Sequence, residues 1–330
     1  MRLRTHLADA HEASVGTTRR HVVAEIKTAY FNYLRAERLV EIFEATQAVV
    51  TENLRVNERL SEHGKVTRDA VYRAQAEVSA VEQQQAEATT QRDLAASYFN
   101  LLLNRPLNTP IERTDVDDLI PATGQALARY VRDDLNPPAI RQDYARRALL
   151  ERDELKQLAS TADAADVNLD LARSAFLPNV SFVLDLGVQG SGYSFSSDSD
   201  FRSASVVLSW NLFNGFQDQA CVPQARVQQR VLEARQEELA LQIRLEVQEA
   251  FNKVDVARRS IKTAEERVRS ARQTFRLVER KYEEGMASPV DFIDARTTLT
   301  NAELNLAITQ YDLLTRYARL ERAAALYPPL

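Results

Sequence analysis

RLVERKYEEG at residues 276–285 repeats RVNERLSEHG at residues 55–64, so that Gly285 corresponds to Gly64 at an offset of 221 residues. A duplicated long helix that turns at a glycine indicates a pseudo-symmetric assembly rather than a catalytic pocket. The same offset matches further pairs without a gap: Glu25 with Glu246, Ala29 with Ala250, Ala36 with Ala257, Glu44 with Glu265, and Ala74 with Ala295.

The helix that leads to Gly285 carries a regular apolar seam, whose positions alternate between spacings of three and four residues. This period of 3.5 predicts a left-handed coiled coil. Alanine takes nearly every second seam position, which lets neighbouring helices approach closely. A helix from about Pro223 to Glu284 would be on the order of 90 Å long, so its partners must be equally long. The seam positions are Val247, Ala250, Val254, Ala257, Ile261, Ala264, Val268, Ala271, Phe275, Val278 and Tyr282.

A turn and a returning helix follow each glycine of the repeat. Gly285 suits a left-handed helix C-cap. Ser288-Pro289-Val290-Asp291 then supplies an N-cap, a proline in the first turn and a capping partner. In the first copy Gly64 closes the helix and Thr67 caps the next one. Both copies are therefore predicted to be helical hairpins with a glycine at the tip.

The remaining segments complete the predicted organisation. Helical hairpins over residues 1–103 and 216–330 flank a proline-rich linker over 104–138, a long helix over 139–177 and a β-hairpin over 178–215. The predicted fold class is mainly α, with long antiparallel coiled-coil helical hairpins and one amphipathic β-hairpin.

The β-hairpin is predicted from a change of the apolar period to two after Pro178. Its length and its single apolar face match the roughly 9 to 11 residues of a membrane strand. The alternative is a soluble hairpin packed on a core, but its position between two rod-like helices favours the membrane. One face carries Val180, Phe182, Leu184, Leu186 and Val188 on the first strand, and Ala204, Val206, Leu208, Trp210 and Leu212 on the second.

Composition excludes several classes of function. The net charge is −5 and no basic stripe is present, so nucleic acid is not an expected partner. A single cysteine, Cys221, excludes an internal disulfide, and the four histidines show no metal-ligand spacing. No Ser-His-Asp, Cys-His, phosphate-loop or dinucleotide-binding pattern occurs, so we expect neither an enzyme nor a cofactor.

Three motifs follow one another in a characteristic order. Phe176-Leu177-Pro178 precedes the first strand, Trp210-Asn211-Leu212-Phe213-Asn214-Gly215 follows the second, and residues 282–295 read YEEGMASPVDFIDA. In this order they resemble the TolC-like outer-membrane efflux channel family. The resemblance covers nearly the whole chain, with residues 104–136 the least diagnostic part.

The resemblance implies a homotrimer located in the outer membrane with a periplasmic extension. It also implies that the helical hairpins form an α-barrel segment with residues 104–138 as its equatorial linker, and that the β-hairpin forms a β-barrel segment. Its implied function is the passive exit duct of a tripartite efflux or type I secretion system. The implied partners are a periplasmic adaptor (membrane fusion) protein, an inner-membrane RND or ABC pump and outer-membrane lipid.

Two features of that family are missing from the sequence: a secretion signal and the N-terminal counterpart of about residues 139–221. At the offset of 221, Met1 corresponds to Val222, just after the second strand. The sequence therefore predicts a truncated chain or a reading frame begun too late. The alternatives to a channel are a soluble coiled-coil scaffold that binds partner helices and a non-functional truncated paralogue.

Asp291 and Asp294 are three residues apart, so they share a helix face just past the second tip. The resemblance matches them to a paired-aspartate motif that rings the periplasmic entrance of some family members, where carboxylate rings favour cations. The alternative is that Asp291 only caps the helix as a partner of Ser288 and Asp294 is a solvated neighbour.

Tyr282, Asp69 and Thr67 lie near the two tips. The resemblance assigns such residues to links that hold the periplasmic gate closed. Ala287 replaces an arginine that some members carry in that lock. Alternatively, Tyr282 completes the heptad seam as a packing residue.

The resemblance implies two further sets of contact residues. Gly64, Gly285 and Ser288 are the expected adaptor-contact tips. Aromatic residues near the ends of the β-hairpin are expected at the membrane interface, where such side chains are enriched: Tyr193, Phe195, Phe201 and Trp210.

Overall fold

The structure is a computed structural model that describes residues 2–128, 137–188 and 200–326. Over these ranges the chain is mainly α-helical with one antiparallel strand pair, so the predicted fold class is confirmed. The elements in chain order are α1 (Arg2–Glu62), α2 (Arg68–Leu102), α3 (Val116–Ala128), α4 (Pro137–Glu151), α5 (Asp153–Ser174), β1 (Asn179–Val188), β2 (Asp200–Ser209), α6 (Gln217–Glu283) and α7 (Pro289–Ala323).

The chain divides into two compact units. The first comprises Met1–Val15 and Asp153–Leu241 and contains α5 and the β-hairpin. The second comprises Gly16–Arg152 and Gln242–Leu330 and contains α2, α3, α4, α7 and the adjoining parts of α1 and α6. Both helical tips therefore belong to the second unit.

The two helical hairpins repeat each other in three dimensions at the offset of 221. The turns that follow them also agree, because Asn104 and Ala325 both have a φ of 52°. The offset therefore relates the two hairpins residue by residue. The matching helix ends are Glu62 with Glu283, Arg68 with Pro289, and Leu102 with Ala323.

The heptad seam of α6 is the buried face of that helix. All of its predicted positions from Val247 to Tyr282 are buried or half-buried, whereas most residues between them are exposed. Near the tip the seam joins a core in which the Phe275 and Phe292 rings lie 5.4 Å apart. The members of this core are Val268, Ala271, Phe275, Phe292, Ala295, Leu299 and Ala302, with Val49 of α1 packed against them.

Both tips use glycine for the same reason. Gly64 and Gly285 have φ of 66° and 74°, in the left-handed region that side chains disfavour. After Gly285, the Met286 N–H donates to the carbonyl of Lys281 at 2.7 Å, which satisfies an acceptor that the helix end would leave unpaired. The backbone thus reverses without exposing its last carbonyls.

The two returning helices begin differently. Ser288 and Asp291 form a complete capping box at the start of α7. Thr67 holds the N-cap position of α2, but its side chain caps no backbone N–H. Its hydroxyl instead donates to the carboxylate of Asp69. The side-chain cap expected at Thr67 is therefore absent.

The long helix expected over residues 139–177 is two helices, α4 and α5, separated at Arg152. Arg152 is buried and forms an ion pair with Glu246 of α6. A buried guanidinium needs such a partner, and the helix interruption coincides with it.

The start of α6 also differs from expectation. The helix begins at Gln217 rather than near Pro223, which lies inside it. Gly215 and Phe216 have φ of 67° and 68°, and they turn the chain into the helix directly after the strand segment. The Asn214 side chain accepts from the Asp218 N–H at 3.4 Å.

Buried polar groups fix the beginning of the linker. Asn100 is fully buried and donates to the carbonyls of Leu107 and Thr109, each at 2.9 Å. The Arg113 guanidinium pairs with the buried Glu37 of α1 at 2.5 Å. These buried contacts hold the beginning of the linker against α1 and α2, although one side-chain oxygen each of Asn100 and Glu37 has no hydrogen-bond partner among the described residues.

We expect Gly285→Ala to lower the free energy of unfolding by about 1 kcal/mol, because alanine disfavours a positive φ. An added Cβ would meet no atom within 4 Å, so the cost is conformational alone. Gly285→Asn should cost less, since asparagine tolerates this region. Urea denaturation followed by circular dichroism measures both. Equal stability of the parent and the alanine variant would contradict this account.

Candidate functional site

Asp291 and Asp294 are both exposed just past the second tip. Asp291 completes the capping box: its Oδ2 accepts from the Ser288 N–H at 3.0 Å and from the Ser288 hydroxyl at 2.8 Å. The hydrogen bonds from the Ser288 hydroxyl and backbone lower the pKa of Asp291 from its ordinary value, so the carboxylate stays ionised. Capping leaves the Asp291 carboxylate exposed, so it does not preclude the role predicted for Asp291 at an entrance.

A groove of about 960 Å³ runs along the second hairpin beside these carboxylates. Its lining includes Lys281, Met286 and both aspartates, together with small side chains of α6 and α7. The charges in it are of both signs. The groove is therefore open to solvent, and apolar side-chain atoms contribute much of its surface beside these charges.

Tyr282 of α6 has a hydrogen-bond partner on α1. Its hydroxyl donates to Oδ1 of Asn57 on α1 at 2.9 Å. Thr67 and Asp69 are hydrogen-bonded to each other and are exposed. The three predicted gate residues are thus not brought into one link within this chain. Burial raises the pKa of Tyr282, which keeps its hydroxyl a donor.

Asn57 and Asn53 are buried polar residues that the sequence reasoning missed. Asn57 is fully buried, and its amide donates to the backbone carbonyl of Asn53 at 2.9 Å and to Asn53 Oδ1 at 3.1 Å. At the offset of 221, Asn57 corresponds to the seam residue Val278. An asparagine at a seam position was the sign in the sequence that could have indicated this buried polar contact.

A second buried polar contact joins α1 to α7 farther from the tip. Arg296 is 7% exposed, and its Nη2 donates to the Thr46 hydroxyl at 2.8 Å. The Thr46 and Thr300 hydroxyls are 3.2 Å apart. The guanidinium lies over the Phe275 ring, 5.5 Å from its centroid, and its Nε has no partner. Burial lowers the pKa of Arg296, as expected for a desolvated cation.

The expected adaptor-contact residues are accessible. Gly64, Gly285 and Ser288 are all exposed. Met286 beside them is 67% exposed, an unusual position for a large apolar side chain. The tips therefore present accessible surface.

The β-hairpin exposes the apolar face that the sequence predicts. Its register pairs Val180 with Leu208 and Phe182 with Val206 on one side of the sheet. These four side chains are 64% to 70% exposed. An exposed apolar patch of this kind marks a surface for protein or membrane contact.

The predicted interface aromatics divide into two pairs. Tyr193 and Phe195 lie outside the described residues. Phe201 is 40% exposed and packs across the strand pair on Gly187. Trp210 is 57% exposed, and its indole N–H donates to the carbonyl of Phe176 at 3.2 Å. Both described aromatics thus present ring surface to solvent, Phe201 at one end of the strand pair and Trp210 just beyond the other.

Two features are absent from the described residues: a membrane-spanning helix and a cluster of metal-binding side chains. No helix among them is long and apolar enough to cross a membrane. No group of three or more His, Cys, Asp or Glu side chains within the described part of the chain could hold a metal ion.

Long paired helices with glycine tips, interrupted by an amphipathic β-hairpin, are an architecture that the chain shares with known outer-membrane channels. The family model described as outer membrane efflux protein matches residues 145–326, more than half of the chain. The chain belongs to the outer membrane efflux protein family. The predicted family and its outer-membrane location are confirmed. The family and the named relatives are efflux or secretion proteins rather than enzymes.

Among curated relatives, the chain is 25% identical over 301 residues to the alkaline protease secretion protein AprF of Pseudomonas aeruginosa, covering 91% of this chain and 60% of that protein. It is 24% identical over 304 residues to the toluene efflux pump outer membrane protein TtgI of Pseudomonas putida, covering 92% and 62%. For the outer membrane protein TolC of Escherichia coli the identity is 23% over 354 residues, covering 97% and 64%. The chain spans about 60% of the length of such relatives.

Solved structures share the fold. The TM-score is 0.82 against the outer-membrane channel OprN at 18% identity, covering 98% of this chain and 70% of that one. It is 0.79 against the outer membrane protein VceC of Vibrio cholerae at 19% identity, covering 98% and 74%. The alternative of a soluble scaffold finds no support in these comparisons.

We expect Tyr282→Phe to lower the free energy of unfolding by about 1 kcal/mol, because the buried Asn57 oxygen loses its donor. Tyr72→Phe is the matched control, since Tyr72 is 63% exposed on α2 and its loss of a hydroxyl should change little. Urea denaturation of both variants measures the difference. Equal midpoints would show that the hydrogen bond contributes nothing to the joining of α1 and α6.

Proposed function

We propose that this chain forms part of a passive exit duct in the outer membrane, through which an inner-membrane pump exports its substrate. The observation that carries the proposal is the exposed apolar face of a ten-residue strand pair placed between long helices. Strands of this length suit a membrane, and helices of 61 and 67 residues suit a tube that crosses the periplasm.

The assembly we propose is a homotrimer joined to a periplasmic adaptor and to an RND or ABC pump. The exposed turns at Gly64 and Gly285, together with Ser288, are the proposed adaptor contacts. Neither strand has a second neighbour among the described residues. Strands cannot keep unpaired edges in lipid, so the proposed lipid-facing sheet includes strands beyond this pair.

The proposed periplasmic gate includes Asp291 and Asp294. Their exposure and their shared helix face support a carboxylate ring when several copies surround one axis. Tyr282 contributes by holding α6 to α1 through Asn57, while Asp69 and Thr67 line the neighbouring tip. The names of relatives range from protease secretion to toluene efflux, so the exported substrate stays open.

We expect Leu184→Arg to reduce membrane association, because an arginine on the lipid-facing side costs about 2 to 4 kcal/mol at mid-membrane depth. Ser181→Arg on the opposite strand face is the matched control and should leave association unchanged. Membrane pelleting and gradient centrifugation in detergent measure the outcome. A monodisperse soluble dimer without detergent, insensitive to Leu184→Arg, would favour the scaffold alternative.

We expect the double substitution Asp291→Ala with Asp294→Ala, in a full-length channel, to relieve block of ion conductance by polyvalent cations. Removing both carboxylates removes the proposed cation-binding ring. Planar-bilayer recording measures the block, and Asp170→Ala on α5 serves as the control. Unchanged block in the double variant would refute the gate.

A further inference from the structure

A cavity of about 430 Å³ lies where the linker passes α1 and α7. Four residues of α1, five residues from Arg113 to Asp117 and three residues of α7 line it, and all of them belong to the second compact unit. Its volume is within the range of roughly 300 to 1,000 Å³ that small-molecule sites occupy. The cavity shares no lining residue with the groove beside the second tip, so it is a separate candidate site.

The charges that line this cavity do not balance. Four carboxylates and two guanidiniums face it. The Arg113 guanidinium pairs with Glu37, and the Arg38 guanidinium pairs with Glu41 at 2.7 Å. Two carboxylates at the start of α3 are left in excess: Asp115 and Asp117. Because opposite charges attract most strongly away from bulk water, this excess favours a cationic ligand.

Glu37 offers an acceptor that the protein does not use. The residue is 7% exposed, and its Oε1 accepts from Arg113. Its Oε2 is buried and has no hydrogen-bond partner among the residues that the structure describes. A buried carboxylate oxygen without a donor costs free energy, and the broad terminal torsion of glutamate lets this oxygen turn toward a donor in the cavity. Glu37 is therefore suited to bind an N–H group that enters.

The remaining wall of the cavity suits a carbon chain. Leu34, Val116 and Leu306 line it and are half-buried or partly shielded. Tyr311 of α7 lines it as well, and burial raises the pKa of Tyr311 to about 12, so its hydroxyl stays protonated. A protonated phenol both donates and accepts hydrogen bonds. The wall thus fits a ligand with positive ends and an apolar stem.

A bare metal ion fits this cavity poorly. A hard divalent cation takes about six or more oxygen ligands that meet at one point. Within the described ranges, no group of three or more His, Cys, Asp or Glu side chains could hold a metal ion. Two of the four carboxylates are also engaged by guanidiniums. An organic dication, whose two charges lie apart, matches this distribution of carboxylates better.

The acidic residues of α1 belong to the first copy of the repeat alone. At the offset of 221, Glu37 corresponds to Arg258 and Glu41 to Lys262. Both basic residues are exposed on α6. The seam residue directly before each of Glu37 and Arg258 is nevertheless a buried alanine. The packing of the hairpins is therefore compatible with a base at this position, and the carboxylate serves the linker or a ligand.

We propose that this cavity binds a small organic dication, a diamine whose alkyl stem lies against Leu34, Val116 and Leu306. One ammonium group donates to the Glu37 carboxylate, and Asp117 neutralises the second. A primary alkylamine is protonated at neutral pH, as lysine is, so such a diamine carries both charges. This binding depends neither on transport nor on the number of copies that assemble.

Titration of the purified full chain in detergent with cadaverine, a five-carbon diamine, tests the site by isothermal calorimetry. We expect one cadaverine to bind per chain. Pentanediol has the same stem without charges and should not bind. Magnesium chloride should displace no more cadaverine than sodium chloride of equal ionic strength. Absence of cadaverine binding, equal binding of pentanediol, or specific displacement by magnesium would each overturn the assignment to an organic dication.

Substitutions in the cavity locate the binding. Glu37→Gln removes the charge at nearly constant volume and should weaken cadaverine binding at least about tenfold. Glu44→Gln is the matched control, because Glu44 is exposed on the same helix and does not line the cavity. Val116→Phe narrows the cavity with its charges intact and should also weaken binding, independently of the ion pair between Glu37 and Arg113.

Thermal unfolding of each variant without cadaverine shows whether it is folded. Should Glu37→Gln release the linker and unfold, Val116→Phe still decides whether the cavity is the site. Binding of parental strength in a folded Glu37→Gln or a folded Val116→Phe variant would refute the site. Weaker binding in Glu44→Gln, equal to that in Glu37→Gln, would show a general charge effect and would refute it as well.

Discussion

The constraint on which this structure depends is that a very long helix cannot bury its own apolar stripe. A helix of 67 residues gains most of its stability from packing against something equally long. The alternation of large residues with alanine along the α6 seam meets this need, because alanine permits close approach while Phe275 and Phe292 fill the space near the tip. The hairpin turn at Gly285, the capping box of Ser288 and the return of α7 all keep that seam covered.

Buried polar groups give this packing its register. Apolar seams with a seven-residue repeat can slip by a heptad at little cost, whereas a buried amide or guanidinium is satisfied in one alignment only. Asn57 with Tyr282 and Thr46 with Arg296 perform this role between the first hairpin and the second. Arg296 is the more costly of them, since a desolvated cation with an unpartnered Nε destabilises the fold. Arg296 therefore contributes to the specific alignment of α1 with α7 rather than to stability.

Much of the architecture was predictable because it follows from local periodicity. The seam from Val247 to Tyr282 follows a period of 3.5 residues, and the strands follow a period of two. Each tip follows from a glycine at the end of a helix. The features that the sequence did not predict are contacts between side chains that lie far apart in the sequence. Asn57 meets Tyr282 across 225 positions of sequence, and Arg152 meets Glu246 across 94. Thr67 was expected to cap α2, but its hydroxyl donates to Asp69 and accepts from no backbone N–H, and the sequence pattern does not specify this side-chain orientation.

Arg296 and Arg267 show how far the two copies of the repeat differ. Arg296 is buried against Thr46 of α1, whereas Arg267, the equivalent of Thr46 at the offset of 221, is exposed on α6. A chain made of two identical copies of the second hairpin would place an arginine where Thr46 stands, and two buried guanidiniums would then repel each other. The two hairpins therefore share a geometry without being interchangeable.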